Sequence, residues 1–350
     1  MIGFGLVMAV TFAMAACGTT EPVGPSTSNT SKDPATELPI KPTPTDKPES
    51  STTLEGITAT GGFGEEPKVT FASTPWAVDS TMWEIVVQGT GEIVPTDALV
   101  LLDYYGVNAR TGVMFETSYG HEPSTFPLYN MIAGFAKGVA GQKVGTRMIL
   151  AIPGTEGYDG AGGQSEAGIE VGDTLVFVID IIRSQLSQPV GETITVTDAS
   201  LPKVTGALNK PVITIPTGAA PPTKLVVQEL IKGTGPAAEA DNLVVIDYAE
   251  YIWNTGSMVR QSYGYYPLNG NLPDLIAGWQ EALVGQPMGS RLLLVVPPDM
   301  AYPQGYPRFG IPIGATMVYV VDLLYAAPPP PTQAPETPET TETPSSPQPS

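Results

Sequence analysis

Apolar residues along the chain come in short runs bounded by Gly, Pro or charge. Leu99-Val100-Leu101-Leu102-Asp103-Tyr104-Tyr105, Met148-Ile149-Leu150-Ala151-Ile152 and the run from Thr174 to Ile182 all have strand length. The last mixes β-branched and aromatic residues, as an inner strand does. One segment keeps a helical spacing instead. Met131, Ile132, Phe135 and Val139 fall at i, i+1, i+4 and i+8, one face of a short helix. Leu275, Ile276, Trp279 and Leu283 repeat that face.

The repetition is general. Gly89-Thr90-Gly91 recurs as Gly233-Thr234-Gly235, and Asp103-Tyr104 as Asp247-Tyr248. Ser118-Tyr119-Gly120 recurs as Ser262-Tyr263-Gly264, and Ile132-Ala133-Gly134-Phe135 as Ile276-Ala277-Gly278-Trp279. The offset holds through Tyr158 and Tyr302, then slips by two at Asp180 and Asp322. A period this long is a duplicated domain, not a solenoid. The stretches Thr60–Thr70 and Thr205–Thr214 align more loosely, as part of each repeat or a short strand leading into it. Each unit thus reads as antiparallel strands around one short helix, an α+β architecture with segregated elements.

The ends differ in character. Residues 2–16 are uncharged and too short to span a bilayer as a helix. They lead into Met14-Ala15-Ala16-Cys17-Gly18, which resembles the lipobox of a bacterial lipoprotein, whose cysteine is acylated. A plain secretory signal or an uncleaved anchor are the alternatives. Residues 18–53 are rich in Thr, Ser, Pro and charge and bury too little to offset ordering entropy, so a disordered tether is expected. The domain boundaries follow: 1–17 signal, 18–53 tether, 54–185 first domain, 186–200 linker, 201–327 second domain. Residues 328–350 form a disordered acidic tail rich in Pro, Thr and Glu.

Composition narrows the chemistry. The 350 residues carry a net charge of −19, which cannot supply the cationic footprint of a nucleic-acid binder. One Cys and one His, His121, leave no Cys-rich or multi-His metal site and little His-based acid–base chemistry. P-loop, complete dinucleotide and calcium-loop motifs are missing, and Gly163-Gln164-Ser165-Glu166-Ala167 falls one residue short of a hydrolase elbow. No metal and no cofactor are expected.

The remaining motifs, taken in order, carry a resemblance. Gly89-Thr90-Gly91, Leu102-Asp103-Tyr104-Tyr105-Gly106 and Thr111–Ser118 resemble the opening of an FKBP-type peptidyl-prolyl isomerase domain. Phe126-Pro127-Leu128, Met131–Phe135, Val144-Gly145, Ile152-Pro153 and Tyr158 continue the likeness, and the second repeat runs through the same series. The tandem, lipoprotein-like layout is similar to secreted FKBP-type proteins of actinobacteria. The resemblance implies two FKBP-like domains, each a bent antiparallel sheet around a short helix. It implies a pocket between sheet and helix lined by Tyr104, Phe115, Glu116, Phe126, Met131, Ile132, Phe135, Tyr158, Ile169 and Phe177. In the second domain the corresponding residues are Tyr248, Val259, Ile276, Trp279, Tyr302, Ile311 and Tyr319.

The implied activity is isomerisation of X–Pro bonds in unfolded or secreted polypeptides, with macrolides as inhibitors. A twisted amide is less polar than the planar ground state, and a dry aromatic pocket favours it. By the resemblance, Phe135 forms the floor and Phe115 and Phe177 the walls around the proline ring. The Ile132 N–H and Tyr158 hydroxyl meet the flanking carbonyls, and Glu116 fixes Tyr104. The alternative is a non-catalytic peptide-binding module or holdase using the same groove. The second domain invites it, with Val259 and Arg260 in place of Phe115 and Glu116 and a Pro-Leu-Asn-Gly-Asn loop in place of Phe-Pro-Leu. Arg260 is expected to lie across the groove or reach toward bulk water. The expected location is the outer face of the cell membrane, anchored through Cys17.

Overall fold

A computed structural model describes residues 50–329. The expected signal segment, Cys17, the tether up to residue 49 and the tail from residue 330 lie outside the described residues. The described chain divides into two compact units, with the main changeover between Ser184 and Gln185.

By sequence order, the first repeat contains β1 (Ser50–Ser51), β2 (Ile57–Thr60), β3 (Lys68–Phe71), β4 (Ala77–Val78), β5 (Met82–Val87), β6 (Leu99–Asn108), β7 (Val113–Thr117) and β8 (Ser124–Pro127). Helix α1 (Ala133–Val139), β9 (Arg147–Ile152) and β10 (Leu175–Ser184) complete it. The main sheet runs β5-β9-β10-β6-β7, with β8 also paired to β6. Neighbours along β9, β10 and β6 are antiparallel.

The sheet is covered on both faces, which is why β9 and β10 read as unbroken apolar runs rather than alternating ones. Successive strand residues point to opposite faces. Ile149, Ala151, Val176 and Val178 face a cluster with Ile57, Val69 and Phe71 from the β2–β3 hairpin and Leu54 just before it. Their neighbours face α1. A Cβ added at Gly134 would lie 2.3 Å from Ile152 Cγ2, and one at Gly138 would lie 2.4 Å from Leu150 Cδ1. Those two glycines let the helix sit directly on β9.

The second unit repeats this plan with β11 (Gly191–Thr193), β12 (Lys203–Ala207), β13 (Lys210–Thr214), β14 (Val226–Gly233), β15 (Leu243–Ile252) and β16 (Met258–Gln261). It continues with β17 (Leu268–Asn271), α2 (Ala277–Leu283), β18 (Arg291–Val296) and β19 (Met317–Ala327). The order is β11-β14-β18-β19-β15-β16, with β17 paired to β15. The β12–β13 hairpin covers the face away from α2, through Val204 and Ile213 against Leu293, Val295, Val318 and Val320. The loosely aligned stretches are therefore hairpins belonging to each repeat.

Each hairpin flank is tied to its sheet by a buried ion pair. Arg147 Nε donates to Asp180 Oδ1 at 2.8 Å, and neither side chain is exposed. The same guanidinium donates to the carbonyls of Gly62 and Glu65, while the Gly64 N–H and Tyr119 hydroxyl donate to Asp180 Oδ2. Arg291, Asp322, Tyr263 and the Leu208 carbonyl repeat the arrangement. Buried charges persist because every neighbour that could satisfy them is present.

Four expectations change. Residues 186–200 are not a free linker: Leu186 is buried and donates to the Leu324 carbonyl, and β11 pairs with β14. An unpaired β14 edge would expose its backbone groups, and this stretch covers it. The tether gives way to structure earlier than residue 54, since β1 pairs with β4. The Pro-Leu-Asn-Gly-Asn stretch is not a loop, because Leu268–Asn271 form β17 against β15. Met131 and Ile132 precede the helix, with Ile132 as the N-cap of α1 in extended geometry.

Candidate active site

Gly89-Thr90-Gly91 shows how a short motif shapes the domain. A Cβ at Gly89 would stand 2.4 Å from the Val144 carbonyl oxygen, and one at Gly91 would stand 2.9 Å from Val144 Cβ. The two glycines allow the chain entering the domain to lie against the turn before β9. Gly233 and Gly235 make the same approach to Met288.

In the first domain the groove is built around Gly106. On β6, Gly106 stands opposite Phe177 of β10 on one side and Glu116 of β7 on the other. Phe177 is fully buried and meets Phe115 edge-on at 5.6 Å between ring centroids, and Phe135 edge-on at 5.4 Å. These edge-to-face contacts use the ring quadrupoles favourably. A Cβ on Gly106 would lie 2.7 Å from Phe115 Cζ and 3.0 Å from Phe177 Cε1, so only glycine leaves room for the two rings.

The other expected residues fall on adjoining elements. Ile132 and Ile169 are buried, whereas Tyr104, Phe115, Glu116, Phe126, Met131 and Tyr158 are half-buried. That gradient from buried floor to partly open rim is what a groove requires. The Tyr104 hydroxyl donates to Glu116 Oε1 at 2.9 Å. Phe126 sits on β8, which pairs with β6. Among the described residues, no backbone carbonyl takes the Ile132 N–H and no side chain takes the Tyr158 hydroxyl proton. Burial, and then the nearby Glu116 carboxylate, push the Tyr158 hydroxyl well above the usual tyrosine range. The same two causes, in the same order, raise Tyr104 further.

The second domain keeps Tyr248, Ile276, Tyr302 and Ile311 at the places of Tyr104, Ile132, Tyr158 and Ile169, and changes the residues around them. Trp279 stands in the place of Phe135 and meets Tyr248 and Tyr319 edge-on, each at 5.3 Å. Ile311 is buried, and Tyr248, Val259, Ile276 and Tyr302 are half-buried against the same cluster. The position of Gly106 is taken by Glu250, which stands opposite Tyr319 and Arg260 in the two neighbouring strands. Glu250 is fully buried, accepts from the Tyr319 hydroxyl at 2.8 Å and pairs with Arg260 Nε. Arg260 also donates to the Tyr302 hydroxyl at 2.7 Å. Arg260 therefore turns inward to Glu250 rather than lying across the groove or reaching for bulk water, because a buried carboxylate demands a partner. Burial opposes the Arg260 charge, but the Glu250 carboxylate outweighs it and raises the guanidinium pKa. Tyr302 is pushed up to about 12, chiefly by burial and then by Glu250. The position of Phe126 is taken by Gly270 on β17.

Three features escape a motif-by-motif reading. Glu250 and Gly270 align with Gly106 and Phe126 in the repeat register, so that register held the signal. The aromatic loop of the second domain is the third. Tyr306 and Phe309 replace Gln164 and Ala167 there, with rings 4.9 Å apart.

Fold and groove together define an FKBP-type domain, present twice. The family model described as FKBP-type peptidyl-prolyl cis-trans isomerase matches residues 91–182 and again 235–324. The two matches span just over half of the chain, which therefore belongs to this family and to its enzyme class, acting on peptidyl-prolyl bonds. Both N-terminal hairpins lie outside the matched ranges. A Corynebacterium glutamicum protein named "Probable FK506-binding protein" is 37% identical over 126 residues, covering 34% of this chain and 100% of the relative. A Streptomyces anulatus FK506-binding protein is 30% identical over 34% of this chain and 98% of its own length. The Escherichia coli isomerase FkpA is 36% identical over 32% of this chain and 41% of its own length.

Proposed function

We propose that catalysis resides mainly in the first domain, in the groove around Gly106. One observation carries the reading. Phe115, Phe135 and Phe177 form a continuous edge-to-face set beside two donors, Ile132 N–H and Tyr158 OH, that no described residue uses. The rings receive the proline and exclude water, and the donors hold the flanking carbonyls. An amide twisted about its C–N bond loses resonance and carbonyl polarity, so the dry site favours it over the planar form. No proton is transferred. The relatives named for FK506 binding support the same groove as a macrolide site.

In the second domain the wall residue Phe115 is replaced by Val259, Arg260 is paired with buried Glu250, and the Tyr302 hydroxyl accepts from Arg260. The test is a cis-to-trans assay of the full chain on a short Leu-Pro peptide. Phe115→Val should lower kcat/KM about tenfold or more, since about 1.4 kcal/mol of lost stabilisation is tenfold in rate. Trp279→Leu should leave it within about twofold, well inside one such tenfold step. A larger loss from Trp279→Leu than from Phe115→Val would reverse the assignment.

The same proposal places the protein outside the cytoplasmic membrane, tethered by an acylated Cys17 and acting on secreted polypeptides. The lipobox-like sequence before Cys17 supports it. Cys17→Ala should abolish acyl labelling and release the protein from membranes, and labelling that survives would exclude the anchor.

A further inference from the structure

The buried Arg–Asp–Tyr cluster is closed over in one repeat and left open in the other. In the first, seven residues, Gly61 to Pro67, join β2 to β3. Arg147 Nη1 donates to the Gly62 carbonyl, and Nη2 to the Glu65 carbonyl and the Tyr119 hydroxyl. The Gly64 N–H donates to Asp180. A Cβ added at Gly61 would lie 3.5 Å from Nη1, so this tip is seated directly on the guanidinium. In the second repeat only Leu208 and Asn209 join β12 to β13. That shorter tip supplies the Leu208 carbonyl, which accepts from Arg291 Nη2. Nε and Nη2 also donate to Asp322. Among the described residues, Arg291 Nη1 has no acceptor.

Arg291 lines a cleft of about 670 Å³. That volume is within the range of small-ligand sites, roughly 300–1,000 Å³. The β12–β13 hairpin contributes Val204 and Leu208, the stretch between β11 and β12 contributes Ile194 and Leu201, and β14 contributes Leu230. The hairpin covers the sheet face away from α2, so none of these residues belongs to the aromatic groove.

The chemistry of the cleft selects its occupant. The Arg291 side chain is only 6% exposed, and Asp322 already balances its charge. The remaining N–H therefore calls for a neutral acceptor rather than a second anion, because a buried donor without a partner is costly and a further buried charge costs more. Lys203 and Asp198 both line the cleft and add no net charge to it. In the first repeat the acceptor on the corresponding nitrogen is a peptide carbonyl. The aliphatic lining suits an apolar side chain beside that carbonyl. We propose that this cleft is a second peptide-binding site. It takes a short extended segment of an unfolded polypeptide, with a backbone carbonyl on Arg291 Nη1 and an apolar side chain among Leu201, Leu208 and Leu230. It needs no proline, and it is separate from the isomerase groove.

An NMR titration of the full chain with the blocked, uncharged peptide acetyl-Gly-Gly-Phe-Gly-amide tests this. The peptide carries the sequence of residues 61–64. Backbone amides of residues 194–206 and the Arg291 side-chain signals should shift saturably, while those of α2 stay in place. Replacing Leu208-Asn209 with the first-repeat stretch 61–67 should fill the cleft and abolish the shifts. Leu201→Ala should weaken binding about fivefold, the scale of part of one buried aliphatic contact. No saturable shift, shifts confined to α2 and β16, or binding undiminished in both variants overturns the proposal. So does octanoate binding at residues 194–206 more tightly than the peptide, which would assign the cleft to amphipathic carboxylates. The probe contains no proline, so this titration and the Leu-Pro assay fail independently.

Discussion

Gly106, Phe115 and Phe177 in one domain, and Glu250, Val259 and Tyr319 in the other, are two solutions to one packing problem. With two phenylalanines flanking the position, a side chain on residue 106 has nowhere to go. With Val259 in place of Phe115 there is volume for a glutamate, and a tyrosine in place of Phe177 supplies a hydroxyl to its carboxylate. Arg260 then neutralises it. No one of these changes is favourable alone, because a buried carboxylate without partners costs several kcal/mol. The first groove also has a distinctive response to pH. The Tyr158 hydroxyl is raised well above the ordinary tyrosine value of about 10, so it stays protonated and able to donate in mildly alkaline solution. The isomerase rate should therefore stay level from neutral to about pH 10, whereas an unperturbed tyrosine donor would begin to fail near there. A stopped-flow pH profile on the Leu-Pro peptide reads this, and a decline centred at or below about pH 10 would show that the hydroxyl is not so held.

At the scale of elements, helix α1 is positioned by glycine rather than by capping. Its N-cap, Ile132, makes no side-chain cap bond, and the helix has only seven residues. Such a helix is not stable alone and depends on its contact with β9. Gly134 faces Ile152, and in the repeat a Cβ added at Gly278 would lie 2.4 Å from Val296 Cγ1. Gly134→Ala gains about 1 kcal/mol of helix propensity. It also forces a methyl into Ile152, and overpacking costs about 1–3 kcal/mol. The expected outcome is a net loss of stability, read as a lower urea midpoint, together with reduced isomerase activity because Phe135 rides on the same helix. Gly138→Ala should be milder, since the repeat already carries a buried Ala282 there. Unchanged or raised stability in Gly134→Ala would mean that the helix can lift from the sheet without penalty.

At the scale of the whole molecule, the two domains share one plan, including a hairpin outside the family core and a buried Arg–Asp–Tyr cluster behind it. The net charge of −19 acts on all of it. Self-repulsion of that size disfavours compact states, and salt screens it over a Debye length of about 8 Å at physiological ionic strength. The buried pairs at Asp180 and Asp322 are shielded from salt by the protein around them. Melting temperature should therefore rise between low and physiological NaCl. A fall would show that exposed attractive pairs, such as Lys137 with Glu156, outweigh the repulsion.

Much of this was legible in the sequence because it is local or periodic. Strand-length apolar runs, the spacing around Phe135 and the constant offset between repeats each reflect a physical period, and they sufficed for the α+β class, the duplication and the family. The likeness also named the aromatic set of the first groove. Tertiary structure alone decided which side chains satisfy one another. Glu250 looks like a lone charge in an apolar strand until β16 and β19 bring Arg260 and Tyr319 beside it. Residues 186–200 look like a linker until the open edge of β14 gives their backbone a partner. Residues 268–271 look like a loop because Asn and Gly are poor strand formers, yet β15 offers a ladder that overrides their propensity. In each case the deciding partner is distant in sequence, and a backbone or charged group left unpaired in the folded chain sets the outcome.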